Sequence, residues 1–88
     1  MITIIKGESM NLSELDKGDE AVIVKMDTES SLKSRLVSFG ISKGSALSVE
    51  ACSVGKQTME ILVDGTLVGL RSNEAKQIEV KRIEEVAS

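Results

Sequence analysis

The chain has 88 residues, and 11 basic against 14 acidic side chains give a net charge of −3. Hydrophobic residues make up 41% and charged residues 28%, the balance of one small globular domain, which excludes two domains or a long disordered tail. A chain this short buries only roughly 60–65% of the surface that it exposes when unfolded, so the core is thin and a large internal catalytic cavity is not expected.

The missing residue types narrow the chemistry further. There is no His, the commonest general base and metal ligand, and Cys52 is the lone cysteine, which leaves neither an internal disulfide nor a thiolate cage. No apolar run approaches the roughly 18 residues of a membrane span, and the first residues lack the pattern of a secretory signal. A lone thiol fits a reducing compartment. The reading is a cytoplasmic protein without direct membrane insertion. Net negative charge and a single aromatic, Phe39, argue against nucleic acid as a partner.

Residues 1–9 read as an N-terminal extension or edge strand, with β-branched Ile2-Thr3-Ile4-Ile5 able to pair weakly with a second copy. Asn11 starts a helical turn with Glu14 three residues on, and Leu12 and Leu15 point inward. Glu20–Met26 reads as the first long strand, with Val22, Val24 and Met26 on one face and Ile23 breaking the pattern. Ser30–Phe39 is the one convincing helix. Leu32, Leu36 and Phe39 recur at i, i+4 and i+7 as a core stripe, Asp27 and Glu29 precede it, and Gly40 is placed to end it.

Beyond Lys43-Gly44, Leu47, Val49 and Ala51 alternate with polar residues, and Ser53–Gln57 is a polar loop. Met59, Ile61 and Val63 form a further strand, and Asp64-Gly65 between two β-rich runs is a strong hairpin signal. Ser72–Ala75 makes one capped turn, Ile78 and Val80 make a last strand, and residues 84–88 are expected to fray. The fold class is mainly β with one helix: a small SH3-like β-barrel of about five short strands, closed or nearly so, with the helix inserted after the first long strand. The domain proper is residues 10–83.

Candidate chemistry is sparse. Gly55-Lys56 lacks both the preceding glycine and the following hydroxyl of a phosphate loop. Asp16, Asp19 and Glu20 cluster without the spacing of a calcium loop. Cys52 reads as a buried, inert thiol with no His to activate it. No enzyme activity and no cofactor are expected. A groove between the helix and the barrel, flanked by Val37, Ile41, Lys33 and Arg35, is the feature suited to a partner segment. An SH3-type proline-peptide site would need more aromatics than Phe39 alone.

The order of features resembles a known family. Leu12-x-x-Leu15-x-x-Gly18 leads into a strand, Arg35–Gly44 reads R-L-x-x-x-G-I-x-x-G, and Leu70–Ala75 reads L-R-x-x-E-A. In this order and spacing they resemble the FeoA family, small cytoplasmic accessory proteins of the bacterial ferrous iron transporter. Lys43 stands where the family often has Pro, and Ser53–Gln57 lacks the usual Pro and Asp. The resemblance covers residues 10–80. It implies an SH3-like barrel and a regulatory, non-catalytic role on the cytoplasmic G-protein domain of the membrane permease. The candidate contact residues are then Arg35, Phe39, Ile41 and Lys43 at the helix exit, with Arg71 and Asn73 near the second motif. The alternative is a small transition-metal-binding protein that holds Fe²⁺ transiently through carboxylates and Cys52.

Overall fold

Alternating apolar residues, as at Met59, Ile61 and Val63, favour strands, and the computed structural model, which describes residues 2–26 and 30–86, joins six strands into one antiparallel sheet. They are β1 (Ile2–Asn11), β2 (Glu20–Met26), β3 (Ala46–Cys52), β4 (Thr58–Val63), β5 (Thr66–Arg71) and β6 (Ile78–Val86). Helix α1 (Ser30–Ser38) links β2 to β3, and the single turn α2 (Ser72–Ala75) links β5 to β6. The strand order is β1-β6-β2-β3-β4-β5, and among the described residues the two outer strands are not paired with each other, so the SH3-like sheet stays open between them. Asp27 and Glu29, expected ahead of the helix, lie outside the described residues.

The sheet has six strands rather than about five because both chain ends join it. Ile2–Ile5 pairs with Ile83–Val86, and Ser9–Asn11 pairs with Glu79–Lys81 across an irregularity that contains Gly7. Residues 84–86 therefore continue β6 instead of fraying, since their backbone groups find partners on β1.

The core is Leu12, Leu15, Ile23, Leu36, Ile41, Met59, Ile61, Leu70, Ile78 and Val80 with smaller neighbours, all almost fully buried. In β2 both faces are at least partly covered, in keeping with the break that Ile23 makes in the alternation. Ala21 and Ile23 are buried, while Val22, Val24 and Met26 are half-buried. Every position from Ala21 to Val24 is apolar, so alternation could not mark the inner face, and a register shift between Ile23 and Lys25 changes the parity.

The helix stripe is also shorter than expected. Leu32 and Leu36 are buried, but Phe39 is 46% exposed. The reason is the helix ending. Ile41 N–H donates to Leu36 C=O at 3.0 Å and Gly40 N–H donates to Val37 C=O at 2.9 Å. This is a Schellman pair, with Ile41 packing into the core at the level of Leu36. Phe39 occupies the cap position, where the chain turns away from the core.

The ending requires Gly40, whose φ is +81°. A Cβ there would meet no atom within 4 Å, so replacing it costs backbone energy alone. Gly40→Ala is expected to lower stability by about 1–2 kcal/mol. Urea denaturation should show an earlier midpoint with an unchanged slope, and an unshifted midpoint would contradict the left-handed ending.

The remaining connections are equally local. Asp64 (φ +50°) and Gly65 (φ +79°) form a two-residue hairpin between paired Val63 and Thr66. Asn11 N–H donates to Glu14 Oε2 at 2.8 Å, and Arg71 N–H donates to Glu74 Oε1 at 2.9 Å. Each satisfies a donor at the start of a short helical turn.

Candidate partner-binding surface

The helix exit and the second motif meet through one carboxylate. Glu74 Oε2 lies 3.1 Å from Arg35 Nη2, while its Oε1 accepts the Arg71 N–H. Arg35 and Arg71, 36 positions apart in sequence, are thus brought to one region of the surface. The Arg35–Glu74 pair is partly exposed and contributes at most about 1 kcal/mol, so its main effect is to orient the guanidinium.

The six candidate contact residues separate by burial. Arg35, Phe39, Lys43, Arg71 and Asn73 are exposed. Ile41 is 1% exposed, so its side chain holds the helix ending and presents no surface. Asn73 C=O accepts from Gln77 Nε2 at 3.1 Å, which ties α2 to the start of β6. Val37, expected beside the stripe, is 52% exposed and lies two positions before Phe39.

A groove lies between helix and sheet, and of the residues expected to flank it Lys33 and Val37 line it while Arg35 and the buried Ile41 do not. A cleft of about 400 Å³ is lined by the end of β2, by α1 and by the helix exit: Val24, Lys25, Met26, Lys33, Val37, Ser42 and Lys43. Lys25 and the half-buried Val24 and Met26 were not foreseen there. Met26 packs against the edge of the main core and also lines the cleft, while the half-buried Val24 lies between the buried Ile23 and the exposed Lys25.

Two of the clustered carboxylates, Asp16 and Asp19, have other partners. Asp16 Oδ1 lies 2.7 Å from Lys56 Nζ. Asp19 Oδ2 accepts from Arg82 Nη2 at 3.1 Å and from the Asp16 N–H at 2.8 Å. Among the described residues, no three His, Cys, Asp or Glu side chains converge as a metal site. Cys52 is half-buried rather than buried, a free thiol in a shallow pocket with Ser53, Thr58 and Glu60.

The Lys56 hydrogen bond, followed by its charge, holds the Asp16 carboxyl below its ordinary value of 3.8. A carboxylate lowered on folding stabilises the fold above its unfolded value and loses that contribution as pH falls through the folded one. Acid below about pH 3.8 should therefore remove this support. Thermal melts taken from pH 7 downward should fall more steeply in wild type than in Lys56→Met. Parallel curves would show that the pair carries no stability.

Comparison with known proteins bears on this surface. The FeoA domain model matches residues 10–82. The chain belongs to the FeoA family. A Campylobacter jejuni protein that carries the name Fe(2+) transport protein A is 42% identical over 74 residues, covering 84% of this chain and all of that one. A Porphyromonas gingivalis fusion of Fe(2+) transport protein A with the Fe(2+) transporter FeoB is 32% identical over 74 residues, which is 84% of this chain and 9% of the fusion. The solution structure of FeoA from Chlorobium tepidum superposes with a TM-score of 0.78 at 33% identity, covering 83% of this chain and 70% of that one. Both motif segments, Arg35–Gly44 and Leu70–Ala75, fall inside the matched FeoA domain, and Glu74 joins them. Among the described residues, no helix is long and apolar enough to cross a membrane.

Proposed function

We propose that this FeoA protein is a non-catalytic, cytoplasmic regulator of ferrous iron uptake that docks on the G-protein region of the membrane permease. The observation that carries this reading is the Porphyromonas gingivalis fusion, in which a segment 32% identical to this chain is covalently joined to the transporter FeoB. Fusion fixes two chains at high effective concentration, which is useful when they otherwise associate. The exposed helix exit supplies the contact: Arg35, Phe39 and Lys43, with Arg71 and Asn73 at its side.

Calorimetric titration of the full chain into the soluble G-protein domain of the cognate permease tests this. Saturable binding is expected, and no heat at several hundred micromolar would contradict it.

The role is regulatory, and Fe²⁺ is the transporter's cargo rather than a ligand of this chain. A bound ion at about 100 times its dissociation constant would add about 2.7 kcal/mol of stability. Thermal melts under reducing conditions are expected to show no shift with Fe²⁺. A clear upward shift, lost in Cys52→Ser, would favour the metal-binding alternative.

A further inference from the structure

The cleft between β2 and α1 has a chemistry unlike the rest of the molecule. Val24, Met26 and Val37 give it apolar walls, and Lys25, Lys33 and Lys43 surround them. Three of the chain's 11 basic residues thus line one cleft of a protein whose net charge is −3. No carboxylate lines it among the described residues. Glu79 is the register partner of Lys25, yet no ion pair joins them, and Lys33 and Lys43 are likewise unpaired among the described residues.

The strand that forms one wall is also incompletely covered. Pairing of β2 with β3 ends at Val22, and Ile23 makes the last bonds on that side, to Ser45 and Gly44. From there, Lys25 and Met26 pair with β6 alone.

We propose that this cleft is the docking site for an acidic segment of the partner protein, which places an apolar side chain against Val24, Met26 and Val37 while its carboxylates meet Lys25, Lys33 and Lys43. The proposal rests on the reading of the protein as a docking module and assigns the chemistry of its site. Charge complementarity selects the occupant: three cations unpaired among the described residues, around an apolar floor, favour acid flanking an apolar residue. A cleft of about 400 Å³ lies within the roughly 300–1,000 Å³ of ligand sites and is concave, which suits a protruding segment better than a flat lipid surface.

The test compares the wild-type chain with Lys25→Glu/Lys33→Glu/Lys43→Glu, using the soluble G-protein domain of the cognate permease as probe. The three lysines are exposed, and an amide spectrum matching the wild type outside the cleft establishes that the variant is folded. Binding is expected to weaken by about tenfold or more in the variant, and wild-type binding to weaken several-fold between about 0.05 M and about 0.3 M salt.

Binding of wild type and variant with equal affinity would overturn the cleft assignment and leave the docking function standing. Absence of wild-type binding would overturn the docking function, and the cleft assignment with it. Vesicles containing phosphatidylglycerol and a concentration series of the chain alone complete the test. Cleft signals that move with either, and not with the G-protein domain, would give the cleft to lipid or to a second copy and overturn the proposal.

Discussion

Leu36→Ala is expected to lower stability by about 2–5 kcal/mol, enough to unfold a large share of a domain whose total stability is of the order of 5 kcal/mol. Leu36 is 0% exposed, and its C=O receives the Ile41 N–H that closes the helix. Truncation removes apolar contacts and leaves a cavity at the point where α1 is fastened to the sheet. In a thin core few neighbours can move in to fill it. Circular dichroism melts and urea titration measure the effect. A change below about 1 kcal/mol would mean that the helix is not anchored through this residue.

Phe39→Ala is expected to do the opposite: a small loss of stability, about 1 kcal/mol or less, and a large loss of partner binding. The ring is 46% exposed, so truncation opens no internal cavity. An exposed aromatic on a segment that also exposes Val37 and Arg35 has the composition of an interface anchor, and such residues commonly contribute about 2 kcal/mol or more to binding, a factor of roughly 30. Calorimetry against the G-protein domain, with a melt of the same sample, separates the two effects. Unfolding of Phe39→Ala would show that the ring belongs to the core. Unchanged affinity in a folded variant would place the interface elsewhere.

These two residues illustrate how far the sequence can be read. The stripe Leu32, Leu36, Phe39 fits helical spacing, and two of its members are core. The third lies one position past the last helical residue, where Gly40 and Ile41 redirect the chain. Spacing alone cannot show that Ile41, rather than Phe39, supplies the closing contact. In β2 an unbroken apolar run hid which face is inward. The Asp64-Gly65 hairpin was legible because its two left-handed residues admit few alternatives. An edge strand within residues 1–9 was one of two readings open in the sequence, but its pairing with residues 79–86 was not legible, since it depends on contacts across most of the chain.

The candidate surface was legible in part for the same reasons. Arg35, Phe39 and Lys43 could be placed at the helix exit from local spacing. Their link to Arg71 through Glu74 spans 39 positions between Arg35 and Glu74 and leaves no periodic trace. The lysine-lined cleft depends on β2 lying beside α1 and the helix exit, a juxtaposition that no local pattern reveals.

The central claim, that the helix exit is where this FeoA protein meets the transporter, is tested most directly by an amide NMR titration of the labelled chain with the soluble G-protein domain of its permease. The account predicts shifts concentrated over Arg35–Gly44, with smaller changes at Arg71 and Asn73. Shifts confined to β4 and β5, or none at several hundred micromolar, would contradict it.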